Sequence, residues 1–195
     1  FTLFFSSIIS EEKKKSIEII SGDIRSEDSI RNAVKGSEVI FNLAALVAIP
    51  YSYKSPNSYI QTNVIGTLNI LEILRKLKNS CNAVIITSDK CYFNKEVHYG
   101  YKETDVLGGK DPYSGSKASA EILVKSYIDS FFIKSNKNIR IATARAGNVI
   151  GGGDWANYRI IPDCVRSWSK NKKAKLRNPN ATRPWQHVLE AVGGY

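Results

Sequence analysis

Ala83-Val84-Ile85-Ile86-Thr87-Ser88-Asp89-Lys90 is the stretch that decides the fold. Four apolar residues, a length suited to a buried strand, run directly into two hydroxyls, a carboxylate and an ammonium. The same pattern recurs along the chain. Residues 17–20, apolar except for Glu18, read as a strand leading to Gly22-Asp23, residues 39–43 lead to Ala44-Ala45, and residues 139–144 lead to Ala146-Gly147-Asn148. Helical stretches at 27–35, 58–78, 112–132 and 161–170 separate these strands. In the second of them Ile60, Val64, Leu68, Leu71 and Leu74 recur at steps of three and four. Pro112 suits a first helical turn, residues 99–111 and the segment through Pro50 and Pro56 read as loops, and Gly151-Gly152-Gly153 breaks the chain. Short apolar strands alternating with helices predict an α/β fold with a parallel sheet buried on both faces. Ligands of such sheets bind at the carboxyl ends of the strands, so the residues just past each strand are the candidate site.

Composition sets the outer bounds. The 195 residues, 43% hydrophobic and 24% charged, suffice for one domain with a sizeable core. No apolar run approaches the roughly 20 residues of a membrane span, so no membrane partner is expected. Residues 1–9 are apolar-rich but lack a basic region before them and a small-residue cleavage site after them; they read as strand and loop, not a signal peptide. The chain has no methionine, which predicts an internal piece of a longer protein. Three cysteines at scattered spacings suggest neither a disulfide framework nor a metal site and fit a reducing cytoplasm. Cys91, although next to Asp89-Lys90, reads as a buried cysteine before a reactive thiol. The net charge is +10, and residues 159–195 hold eight Lys/Arg against Asp163 and Glu190, a local +6. Such an end could face nucleic acid or a phosphorylated small molecule; the run 170–175 reads as a solvated helix end.

At the strand ends, Asp23 could accept from an adenine amino group while Ile24 covers the ring, or Asp23 could be a helix cap or turn acid. Leu43-Ala44-Ala45 would let a ligand approach the backbone. Tyr113 and Lys117, four apart, share a helix face. The ammonium would pull the phenol pKa down and make Tyr113 a base for a sugar hydroxyl. With ten tyrosines in the chain, one such spacing is what chance supplies, so its context carries the weight.

The order Gly22-Asp23-Ile24, Leu43-Ala44-Ala45, Thr62-Asn63 with Gly66-Thr67, Ser88-Asp89, Tyr113 with Lys117, and Arg145 with Gly147-Asn148 resembles the extended short-chain dehydrogenase/reductase family of nucleotide-sugar enzymes. Segments 87–92, 108–114, 144–155 and 177–189 resemble its CDP-glucose 4,6-dehydratase branch, and the likeness runs from about Gly22 to the end. The resemblance implies a Rossmann-like doubly wound sheet over 1–150 and the start of a nucleotide-sugar-binding region over 151–195. It implies NAD held by Asp23, Ile24, Leu43, Ala44, Ala45, Thr87, Tyr113, Lys117, Ala146 and Gly147. Tyr113 would deprotonate the sugar 4-hydroxyl with help from Ser88, Lys90 would take the C5 proton, and Asp89 would protonate the departing 6-hydroxyl. Asn148, Arg159 and Arg183 would hold the diphosphate of CDP-glucose, with guanidinium forks suited to phosphate oxygens. A homodimer is expected at full length, and Trp185 and His187 are expected to be structural.

Two departures stand out. The family's glycine-rich phosphate loop is missing before residue 22. The chain is therefore expected to lack the first βα unit, to bind NAD poorly and to turn over little by itself. Residues 45–53 look closer to dehydratases of UDP-linked amino sugars, with Pro50 where the CDP-glucose branch carries an arginine. The competing readings are a 4,6-dehydratase or 4-epimerase for a UDP- or dTDP-linked sugar, and a basic nucleic-acid-binding domain. An epimerase has no use for Asp89-Lys90. The buried parallel-sheet pattern, and the lack of a basic strand studded with aromatics, weigh against nucleic acid.

Overall fold

The structure is a computed structural model that describes residues 10–135 and 138–195. Residues 1–9, read above as strand and loop, lie outside the described residues. Three parallel strands, β1 (Val39–Asn42), β2 (Cys81–Ile86) and β3 (Ile139–Ala144), form a sheet in that order. Ala83 lies opposite Ile40 on one side and Ile141 on the other. Parallel neighbours need a crossover, and helices supply it here. After α1 (Glu27–Ala33) and β1 come α2 (Ile49–Lys54) and α3 (Pro56–Tyr59), and a π-helical stretch, Ile60–Ile65, then leads into α4 (Gly66–Lys76). Beyond β2, α5 (Pro112–Tyr127) continues through a second π stretch, Ile128–Phe132, towards β3.

The segment through Pro50 and Pro56, expected as a loop, is thus largely helical. Both prolines sit in first turns, where a missing N–H breaks no helical hydrogen bond. The stripe Ile70, Leu71, Ile73 and Leu74 packs on Ile40, Ala83 and Ile85, and α5 adds Val124. Leu74 is fully buried. Leu74→Ala is therefore expected to lower stability by about 2–5 kcal/mol, read from the midpoint of a urea titration.

Residues 17–20 do not form the expected strand. Ile19 is 82% exposed, and among the described residues no strand pairs with this segment. An apolar run becomes a strand only where a neighbour shares its backbone hydrogen bonds. The described helices cover the face bearing Ile40, Ala83 and Ile85, while Val39 and Phe41 on the other face of β1 are about half exposed.

The sequence reading missed a second, two-stranded parallel sheet of β4 (Asn148–Ile150) and β5 (Trp185–His187), separated by α6 (Ile160–Trp168) and followed by α7 (Val188–Gly194). Strands of three residues carry no readable period. Gly147 and Gly151 make the approach possible: a Cβ at Gly147 would come within 2.7 Å of Pro184, and one at Gly151 within 2.7 Å of Val188. His187 accepts from Leu189 N at 3.2 Å and so caps α7, in keeping with a structural role. No described helix is long and apolar enough to cross a membrane, and no group of three metal-ligating side chains occurs among the described residues.

Candidate active site

The carboxyl end of β2 opens into the polar run. Thr87 N and Asp89 N donate to Ala144 O and Ala146 O, at 2.9 and 3.0 Å, so the backbone past β2 stays tied to the backbone past β3. Ser88 caps the single 3₁₀ turn Asp89–Cys91, accepting from Lys90 N at 3.2 Å and donating to Asp89 Oδ1 at 3.0 Å. Lys90 Nζ donates to Asp89 Oδ2 at 2.7 Å. Asp89 and Lys90 thus form one ion pair, with about a quarter to a third of each side chain exposed. Beneath the turn Cys91 is fully buried, and burial pushes its thiol up to about 12. That is the opposite of an activated thiolate.

Helix α5 brings the second half. Asp111 caps it, accepting from Ser114 N at 3.0 Å and from the Ser114 hydroxyl at 2.7 Å, and Pro112 occupies the first turn. Tyr113 and Lys117 then point along one face toward the β2 end. The Tyr113 phenol faces the Ser88 hydroxyl, which favours its ionised form, and its ring meets Tyr59 edge-on at 6.2 Å. Lys117 is only 6% exposed, and its single hydrogen bond among the described residues goes to Ile86 O at 3.1 Å.

The electrostatics differ from the sequence expectation. Burial raises the Tyr113 pKa and the Asp89 charge adds to this, while the Ser88 hydroxyl and the Arg159 charge pull the other way. Lys117 does not bring the phenol down towards neutrality. Its own ammonium is penalised by burial, to a pKa of about 8, and is turned to the strand carbonyl.

The remaining candidates are distributed as follows. The Asp23 carboxylate accepts from the Arg25 side chain and backbone N–H, which hold it at a pKa of about 2, and Ser26 caps α1. Ile24 packs on Gly66, where a Cβ would come within 2.8 Å of its Cγ2, and its carbonyl accepts from Asn69 at 3.1 Å. Leu43 is 59% exposed at the end of β1, and Ala44 N donates to Asn42 Oδ1 at 3.2 Å. Asn148 N donates to Pro184 O at 3.1 Å, Arg159 pairs with Asp154 at 3.2 Å, and Arg183 donates to the adjacent Thr182 O at 2.8 Å.

Asn63, quoted in the sequence only as part of a motif, lies in the first π stretch, 3% exposed. It holds Leu46 by both backbone groups, at 2.8 and 3.1 Å, and reaches Ser116 at 2.8 Å, pinning the loop after β1 to α5. Glu121 escaped the sequence reading altogether, and Arg145, like Asn63, was quoted only as part of a motif. The available signal was the spacing Tyr113, Lys117, Glu121, three ionisable side chains on one helix face.

A nicotinamide cofactor fits this end of the sheet on one structural ground. Lys117 is a buried ammonium with three donors and one protein acceptor, one helical turn along α5 from Tyr113.

A parallel Rossmann-like sheet with a Ser-Asp-Lys turn at one strand end and a Tyr–Lys pair on the next helix defines a short-chain dehydrogenase/reductase-type protein. Solved structures agree on the fold. A UDP-glucuronic acid 4-epimerase from Bacillus cereus, in complex with UDP-4-deoxy-4-fluoro-glucuronic acid and NAD, superposes with a TM-score of 0.82 at 21% identity, over 99% of this chain and 59% of that one. A dTDP-glucose 4,6-dehydratase from Streptomyces venezuelae with NAD bound gives 0.74 at 23% identity, over 88% and 51%. The chain belongs to the GDP-mannose 4,6 dehydratase family, whose profile matches residues 5–195. It is 45% identical over 179 residues to the CDP-glucose 4,6-dehydratase of Salmonella typhimurium, covering 89% of this chain and 50% of that enzyme. It is 26% identical over 176 residues to a dTDP-glucose 4,6-dehydratase of Mycobacterium tuberculosis, covering 89% and 50%. The chain spans about half the length of the curated relatives it matches.

Proposed function

We propose that this protein dehydrates a nucleotide sugar, converting CDP-glucose to CDP-4-keto-6-deoxyglucose, with residues 1–150 as part of an NAD-binding unit and 151–195 as the start of the sugar-nucleotide region. The observation that carries this reading is the Asp89–Lys90 ion pair at the end of β2, with Ser88 in the same turn and Tyr113 facing it from α5. The 45% identity to a CDP-glucose 4,6-dehydratase supports the choice of nucleotide.

NAD, held near its nicotinamide ribose by Tyr113 and Lys117, would supply the acceptor and donor of two electrons. Leu43, Ala44, Ala45, Thr87, Ala146 and Gly147 line the strand ends along which it would lie, with Asp23 and Ile24 towards the adenine. Tyr113, oriented by Ser88, takes the proton of the 4-hydroxyl. The 4-ketone acidifies the C5 proton, which Lys90 removes, and Asp89 protonates the 6-hydroxyl as it leaves as water; the two electrons taken from C4 as hydride would return to C6 of the resulting 5,6-alkene while Lys90 gives its proton back to C5. In the ion pair the shared proton is on Lys90, whereas elimination needs it on Asp89. One proton transfer across the 2.7 Å contact accomplishes the exchange. Water exclusion by a bound substrate favours that neutral form, because desolvation penalises two separate charges more than two neutral groups. Asn148, Arg159 and Arg183 would hold the diphosphate. Full-length protein is proposed to work as a homodimer in the cytoplasm.

The test is a side-by-side assay of CDP-, dTDP- and UDP-glucose, using the 195-residue chain and a chimera carrying the flanking segments of the Salmonella enzyme. The 4-keto-6-deoxy product is expected from the chimera, about tenfold or more faster from CDP-glucose than from the others. The chain alone is expected to turn over little. A faster reaction with a UDP-linked sugar would reassign the substrate, and 4-epimer without loss of water would overturn the dehydratase reading.

A further inference from the structure

Glu121 is 4% exposed, eight residues beyond Tyr113 on α5, and both carboxylate oxygens are saturated. The Thr87 hydroxyl and Arg145 Nε donate to Oε1, and the Thr143 hydroxyl and an Arg145 terminal nitrogen donate to Oε2; each of the last three bonds is 2.9 Å. Bonds from Arg145 and the two hydroxyls outweigh burial and hold the Glu121 pKa below its ordinary value, so the group is a carboxylate. Thr87 is the residue immediately before Ser88. Arg145 also lies over the Tyr92 ring, 4.7 Å from its centre, and donates to Glu103 O at 3.3 Å. Tyr92 in turn stacks on Tyr101 and pairs with Leu107, in the loop that delivers the Asp111 cap of α5.

One ion pair therefore joins the helix bearing Tyr113 and Lys117, the turn bearing Ser88, Asp89 and Lys90, and the loop between them. A buried ion pair is seldom the most stabilising way to fill a core, since apolar side chains of similar volume do as well. What it supplies is fixed direction: a bidentate fork sets both the distance and the angle between the segments it joins. We propose that Glu121 and Arg145 are positioning residues that fix the Ser88–Lys90 turn against Tyr113, acting through Thr87 and Tyr92 without touching the reacting atoms. As an aid to catalysis this rests on the dehydratase reading; as a clamp between the two halves of the site it does not.

Two measurements separate those claims. Hydrogen–deuterium exchange on the 195-residue chain compares wild type, Glu121→Gln, Arg145→Lys and the core variant Leu74→Ala. In the two clamp variants, peptides over 87–92 and 101–107 are expected to exchange about tenfold faster while 81–86 stays protected. Leu74→Ala should loosen the core instead. In the chimera, Glu121→Gln is expected to lower kcat by about 10²-fold with KM within about twofold, the signature of misplaced reacting groups. Glu121→Asp, keeping the charge on a shorter arm, should recover part of that loss. Unchanged exchange over 87–92, exchange raised evenly along the chain, or failure of every clamp variant to fold would overturn the clamp. An unaltered kcat would overturn its catalytic part. If wild-type chimera shows no dehydration at all, the functional reading falls, and the exchange pattern still decides the clamp.

Discussion

Tyr113→Phe is expected to cut dehydration by the chimera by about 10²–10⁴-fold, the range for loss of a general base. The ring contact with Tyr59 survives the substitution and only the hydroxyl facing Ser88 is lost, so the protein should stay folded. Thermal melting checks that point. The structure also predicts how the wild-type rate depends on pH. Burial and the neighbouring Asp89 carboxylate raise the Tyr113 pKa, so the phenol is neutral near pH 7 and must lose its proton to act as base. Activity should therefore climb with pH through the neutral range. The Ser88 hydroxyl and the Arg159 charge oppose the rise, and removing either should move the climbing limb to higher pH. Ser88→Ala and Arg159→Gln, measured as pH–kcat profiles, test this. A Tyr113→Phe protein with wild-type kcat would remove Tyr113 from the mechanism.

Lys117→Met is expected to make the protein more stable and, in the chimera, about 10²-fold less active. Burial lowers the Lys117 pKa from 10.5 to about 8, because the ammonium has given up water for one carbonyl, Ile86 O. The unfolded chain holds its proton up to the ordinary value, so between about pH 8 and 10.5 unfolding takes up a proton. Stability then rises with pH across that window. Below pH 8 the lysine is charged in both states and the folded protein carries the full cost, on the order of 3 kcal/mol. Losing the bond to Ile86 O offsets about 1 kcal/mol of the gain. At pH 7 the methionine variant should therefore be stabilised by about 2 kcal/mol, and the upward slope above pH 8 should flatten. Urea titrations at pH 7 and pH 10 measure both effects, and a variant less stable at pH 7 would contradict the account. A charge kept in an unfavourable place is what a functional site requires and a merely structural one avoids.

Much of the frame could be read from residues close together in the chain. The stripe from Ile60 to Leu74 announced its helix, and the apolar runs ending at Asn42, Ile86 and Ala144 announced three parallel strands. The Ser88-Asp89-Lys90 turn and the Tyr113–Lys117 pair were legible as a candidate site because the one follows a strand end and the other opens a helix. Residues 17–20, apolar except for Glu18, read as a strand like the others and still formed none, since pairing is a property of two segments. β4 and β5 left no trace in the pattern, being three residues long and brought together from 148 and 185.

The sequence by itself thus determined the order of helices and strands, and which residue types stand at each strand end, because periodicity and turn chemistry are carried by near neighbours. Only the tertiary structure decided the protonation of the site and how it is held. The bond from Asn63 to Ser116 spans 53 residues, that from Thr87 to Glu121 spans 34, and that from Arg145 to Glu121 spans 24. Burial of Tyr113 and Lys117 depends on segments equally remote. A pKa responds to every charge and every excluded water around the group, and those are assembled only when distant parts of the chain pack together.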